Sequence, residues 1–382
     1  MVTSRNVEPE ATLHTRGPAR AGRSPSARRL MLCAAAVLTA LTAAAAAQSA
    51  PEPGLTSPRL ADITRADGPI RDSIISARST RALAPNGYWG GEYRTNAGEP
   101  VTIYASNSYA QDPALGQRWA DFLASLVHGP EFSSVIILLS TPRQIESICG
   151  QDALACYSSR GSLLYAPGED PNSSFSAEAV VAHEYGHHVA ANRENPPWDA
   201  VDWGPKRWAS AMQVCARSRR GELAPGAEDP VRYETNPGEG WAETYRVLNE
   251  RRLGLPESPW EIVSRSLYPT DAALAAAERD VTSPWTSDTT TTRAGSVTRT
   301  SRTRTYTVAT PLDGTLKVTL RSSAGLRSQL DVFAGATRVA RVTGRGTVTR
   351  TVTVCGARTY RMRVTEQAGR GSFRLSVVEP AS

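Results

Sequence analysis

At 382 residues, 40% hydrophobic and 21% charged, the chain has a globular composition and enough length for two domains with cores of their own. That composition excludes a disordered or fibrous polypeptide. The formal net charge of +6 is lopsided, not general, so it gives no argument for nucleic acid, and no nucleic-acid partner is expected. From residue 290 onward fifteen Arg and one Lys face only four acids, about +12. The first 47 residues carry six Arg and two Glu, which leaves about −10 on the stretch between.

Residues 1–47 start polar and Arg-bearing, pass Arg28-Arg29, and continue as LMLCAAAVLTALTAAAAA before Gln48-Ser49-Ala50-Pro51. A basic flank, an apolar run and a small-residue exit read as a signal peptide, with an uncleaved membrane anchor as the rival reading. The mature chain is therefore expected to be secreted, with cell-wall association open to it, and to be a monomer. Residues 48–84 are Pro-rich and polar and read as a flexible tail or pro-segment.

Over 85–282 the pattern is that of a folded domain. VTIYAS (101–106) alternates like a strand, and LGQRWADFLASLVHG (115–129) has helical spacing at Trp119, Phe122, Leu123 and Leu126. SSVIILLST (133–141) reads as a central strand. GSLLYAPG (161–168), bounded by Gly and Pro, reads as a further strand for which an edge position is open. A helix follows over AVVAHEYGHHVAAN, capped by Ser174 or Ser176 and stopped before Asn195-Pro196-Pro197. A second helix starts at Asn236-Pro237 and carries GEGWAETYRVLNE. Two more are expected, one from the capping-box sequence Ser258-Pro259-Trp260-Glu261 and one over TDAALAAAERD.

Residues 283–299 read as a Thr/Ser linker. Over 300–382, RTYTVA, GTLKVTLRSS, SQLDVFAG, TVTRTVTV, TYRMRVTE and GSFRLSVVE alternate between β-branched and polar residues, separated by Gly turns. They predict an all-β sandwich. The expected fold class is thus an α+β domain, a small mixed sheet with an active-site helix and a helical second half, followed by a β-sandwich. In an oxidising compartment Cys149 and Cys156 are expected to pair around GQDALA. Whether Cys215 and Cys355 bridge the two halves is left open by the sequence.

On a helix His183 and His187 stand one turn apart on one face, so both imidazoles can reach one ion. Zinc suits the pair, and Glu184 beside the first His is placed to take a proton from activated water without binding the metal. A catalytic zinc needs a third protein ligand. A third His six residues on is excluded, because Ala190 and Arg193 stand where Gly and His are required. On the later helix Glu239 and Glu243 share a face. Glu239 is read as the ligand and Glu243 as the acceptor of a ligand imidazole N–H. The competing reading makes Glu239 the partner of Asn236 in a capping box and Glu243 the ligand.

HEYGHHV followed about fifty residues later by NPGEGWAETYR resembles the glutamate-zincin peptidases, in particular the group that includes anthrax toxin lethal factor. The resemblance implies His183, His187 and Glu239 as zinc ligands and Glu184 as general base. It also implies Tyr233 as a donor to the oxyanion. The C-terminal runs are similar in pattern to bacterial pre-peptidase C-terminal domains. The expected function is a secreted zinc endopeptidase acting on protein or peptide, with GSLLYAPG pairing with an extended substrate by strand addition. The alternative is a surface protein that docks on an anionic cell-wall polymer through its basic C-terminal domain and carries a structural or inactive zinc site.

Overall fold

A computed structural model describes residues 84–227 and 231–381. The expected leader, and all of the expected tail up to residue 83, lie outside the described residues. Among the described residues no helix is long and apolar enough to cross a membrane.

The N-terminal lobe is built on a five-stranded sheet. Its strands are β1 (Tyr88–Arg94), β2 (Pro100–Ser106), β3 (Ile136–Ser140), β4 (Cys156–Ser158) and β5 (Leu163–Pro167), in the order β1-β2-β3-β5-β4. The central strands β2, β3 and β5 are parallel, and β1 and β4 close the two sides antiparallel. The run IILLS is central as expected, and Ile137, Leu138 and Leu139 are fully buried. The edge position left open for GSLLYAPG is not the one it takes. All five residues of β5 are buried between β3 and β4, and the disulfide-tethered CYS segment forms the edge.

Helices α1 (Pro113–Ser125) and α2 (Pro142–Cys149) precede α3 (Ala177–Ala191), which carries HEYGH. Short helices α4 (Ala200–Trp203), α5 (Lys206–Ala211) and α6 (Val214–Arg219) lead to α7 (Pro237–Leu253) and α8 (Asp271–Thr282). The helix expected from Ser258 does not form. That segment is held instead by α7: its Ser258 N–H donates to the Glu250 carboxylate, and Arg246 donates to the Ser258 and Pro259 carbonyls. Backbone groups tied to side chains in this way are not available for a helical ladder.

The C-terminal lobe has two four-stranded antiparallel sheets facing one core. β10 (Thr337–Arg345), β9 (Arg327–Ala334), β12 (Arg358–Ala368) and β7 (Thr303–Thr310) form one. β11 (Thr347–Val354), β8 (Gly314–Ser322), β13 (Gly371–Glu379) and β6 (Thr289–Val297) form the other. Leu316, Val318, Leu330, Val332, Met362, Val364 and Leu375 fill the space between them. The stretch expected as a linker over 283–299 instead supplies β6, which pairs along its whole length with β13. Its TTTTRAGSV sequence is mostly exposed, so nothing apolar marks it as a strand.

The lobes are joined covalently and by a part-buried hydrogen bond. Cys149 pairs with Cys156, and Cys215 of α6 pairs with Cys355 of the sandwich, settling the open case. Two disulfides fit an oxidising environment. The Asp313 N–H donates to Ser210 Oγ at 2.9 Å; within the N-terminal lobe Lys206, buried on α5, donates to the Pro196 carbonyl and lies over the Trp285 ring where the chain leaves for the sandwich. Because the Cys215–Cys355 bridge closes a separation of 140 residues, its loss strongly relaxes the unfolded chain. Replacing both with Ser is expected to lower stability by about 2–5 kcal/mol in reversible denaturant unfolding, with the protein still folded.

Candidate metal centre

α3 runs through the lobe interior, which explains its Ala- and Val-rich sequence. Twelve of its fifteen residues are buried, His183, Glu184 and His188 among them. Ser176 Oγ accepts from the Ala179 N–H at 3.1 Å, which selects Ser176 over Ser174 as the cap. α7 lies across α3 at very close range. A Cβ on Gly186 would stand 2.9 Å from the Ala242 Cα, and Trp241 Nε1 donates to the Gly186 carbonyl at 2.7 Å. The small pair Gly186 and Ala242 thus brings the acids of one helix against the imidazoles of the other.

His183 Nε2 and His187 Nε2 both face one oxygen, Glu239 Oε2, each at 3.3 Å. That is long for a charge-assisted hydrogen bond. It matches the edge of a tetrahedral donor set, whose atoms about 2.1 Å from one ion stand roughly 3.4 Å apart. Donor atoms of His183, His187 and Glu239 all lie within 4.8 Å of one another, and the three side chains are 7%, 12% and 13% exposed. Two imidazole nitrogens and one carboxylate oxygen, largely buried, could hold a single metal ion.

Glu243 takes a different place. Its Oε1 faces His183 Nδ1 at 2.9 Å, on the side of the ring away from Glu239. Behind it Arg246 donates to both Glu243 oxygens, at 2.9 and 2.7 Å, and to Glu250 at 2.7 Å. Burial works to raise the Glu243 carboxyl, but Arg246 and His183 outweigh it and hold its pKa at about 2. The capping-box alternative for Glu239 does not form. The Asn236 N–H donates to the Tyr233 carbonyl, while the Asn236 side chain accepts from the Gly238 N–H.

The acids and imidazoles of the site act on one another's protonation. Burial opposes protonation of His183, yet the carboxylates of Glu239 and Glu243 raise its pKa to about 10. Burial also works to raise Glu239, but His187 and His183 pull its pKa well below the usual range. Glu184 has its pKa raised by burial, against the pull of both imidazoles.

These groups line a cleft of about 620 Å³. Glu184 and Tyr233 both line it, the latter from the Tyr233–Thr235 turn just ahead of α7. One wall is the disulfide loop 151–156, continued by Tyr157 of the edge strand. His188 is fully buried between Tyr157 Oη and the Glu131 carbonyl, away from the donor set. Sequence reading missed Arg246, Glu250 and the loop wall. The acid–Arg–acid spacing of Glu243, Arg246 and Glu250, three and four residues apart, was the available signal for the first two.

No family model matches the chain, and no curated protein matches its sequence. Among solved structures, the pre-peptidase C-terminal domain of a collagenase from Bacillus anthracis is similar at 18% identity, covering 23% of this chain and 87% of that one, with a TM-score of 0.21. The Yersinia pseudotuberculosis-derived mitogen is similar at 8% identity over 25% of this chain and 89% of that one, with a TM-score of 0.21. Aeromonas hydrophila PliG, a periplasmic inhibitor of g-type lysozyme, is similar at 17% identity over 23% and 84%, with a TM-score of 0.19.

Proposed function

We propose that this chain is a secreted zinc-dependent endopeptidase. The observation that carries the reading is the meeting of His183 Nε2 and His187 Nε2 at one Glu239 oxygen, with Glu184 beside them in an open cleft. His183, His187 and Glu239 would hold the ion, a nitrogen-rich donor set that suits zinc. When bound, zinc supplies Lewis acidity toward a carbonyl oxygen and makes water a competent nucleophile near neutral pH.

The remaining work falls to the protein. Glu243 accepts the His183 Nδ1–H, which fixes the tautomer and leaves Nε2 as a donor. Glu184 takes the proton of the attacking water and returns it to the leaving amine nitrogen. Its burial raises its proton affinity above that of a solvated carboxylate, which suits a group that must both accept and give. The Tyr233 hydroxyl is assigned to the oxyanion, as a second donor. An extended peptide adds to β4, the sheet edge beside the cleft, and not to the enclosed β5. The deciding experiment is a casein digest by purified protein. Hydrolysis should stop with a chelator and return with one equivalent of zinc; digestion indifferent to chelation would defeat the reading.

A further inference from the structure

The outer face of the sheet β10-β9-β12-β7 is remote in character from the acidic cleft. Pairing register sets its side chains in rows across the strands. Thr305, Arg363, Asp331 and Arg341 stand in one row, and Thr307, Arg361, Phe333 and Arg338 in the next. Arg327 opposite Arg345 lies four residues along from Asp331 and Arg341, one row beyond Gln329 and Thr343. The alternate residues Leu330, Val332, Met362 and Val364 point into the core, so these rows face outward. With strands about 4.8 Å apart and like-facing residues about 6.7 Å apart, four Arg share a backbone footprint of roughly 10 by 7 Å.

Two groups beneath them hold the array together. Asp331, fully buried and the one acid in these rows, accepts from Arg341 at 2.6 Å, Gln329 at 2.7 Å and Arg363 at 3.2 Å. The Phe333 ring carries the Arg361 and Arg363 guanidiniums, each 4.9 Å from its centroid. The side chains of Arg338, Arg341 and Arg363 remain 41–46% exposed. One buried carboxylate thus organises several cations and leaves a large positive excess on an open, flat face.

We propose that this face binds a polyol-phosphate polymer, a flexible phosphodiester chain of the kind carried on cell envelopes. Guanidinium forks match phosphate oxygens in pairs, and an array with no pocket suits a chain of repeated charges better than one compact anion. Single-stranded nucleic acid is the poorer fit. Its binding faces offer open aromatic rings for base stacking, whereas Phe333 is 8% exposed and already covered by two guanidiniums. The proposal is independent of the metal centre.

The opposite sheet supplies a matched control, since Lys317, Arg321 and Arg374 face outward from β8 and β13. The test compares the full-length protein with Arg338→Gln/Arg345→Gln/Arg361→Gln and with Lys317→Gln/Arg321→Gln/Arg374→Gln, variants of equal net charge. Arg341 and Arg363 are kept so that Asp331 stays paired. Binding to deacylated lipoteichoic acid with a poly(glycerol phosphate) backbone is titrated at several salt concentrations. The first triple should weaken binding at least tenfold and reduce the slope of log K against log salt by about 2, while the control stays within threefold of the parent. Equal loss in both triples, or no binding by the parent at low salt, overturns the proposal. Tighter binding of single-stranded DNA of the same charge overturns the assigned occupant. Should the first triple fold poorly, Arg338→Gln/Arg345→Gln leaves Phe333 covered and reads the same slope at two thirds of the effect.

Discussion

Replacing Glu184 with Gln is expected to leave zinc bound one to one while lowering kcat/KM on a peptide substrate by about 10²–10⁴-fold, the usual weight of general acid–base catalysis. The expectation follows from position. Glu184 lies beside His183 on α3 and lines the cleft, yet it is not among the three residues whose donor atoms cluster within 4.8 Å. Gln keeps the shape and removes the basicity, so binding and turnover separate. Metal content by mass spectrometry and steady-state kinetics on the same sample make the comparison. Near-parental turnover would refute the assignment of the base, and loss of zinc with folding intact would mean that the carboxylate serves as a ligand.

Much of this arrangement was legible in the chain because local rules and tertiary outcome agree. Ser176 and Asn236 cap α3 and α7 as their residue types prescribe, and His183 with His187, like Glu239 with Glu243, obey helical spacing. The order of the two acids was harder. Asn236 and Glu239 have capping-box spacing, and only the approach of α7 to α3 through Gly186 and Ala242 turns Glu239 toward the imidazoles. That packing is long-range and leaves no periodic trace. Of the strands missed, β6 and β10 are Thr- or Arg-rich with mostly exposed residues, so the apolar alternation that marks a strand is weak in both. The edge was misplaced for a related reason. Gly and Pro flanks bound any short strand, whereas the true edge, β4, is three residues set by its disulfide and by pairing with β5.

Replacing Arg246 with Met should lower stability by about 3–5 kcal/mol, because it leaves two carboxylates buried without their shared cation. Arg246 is 1% exposed, Glu243 is fully buried and Glu250 is 4% exposed, so water cannot take over the lost contacts. The same change should weaken zinc binding about 10–100-fold, the usual consequence of losing a group that orients a metal ligand. The route is specific: Arg246 grips both oxygens of Glu243, and Glu243 sets the His183 ring. Adding Glu250→Gln to Arg246→Met removes one stranded charge, so it should return part of the stability while leaving the zinc defect, since Glu243 stays unclamped. Unfolding measured with and without saturating zinc gives both quantities from one pair of experiments. The extra destabilisation in the presence of metal equals the loss in its binding free energy. If the two unfolding losses are equal, Arg246 supports only the fold, and the line from Glu250 through Arg246 and Glu243 to His183 carries nothing to the metal.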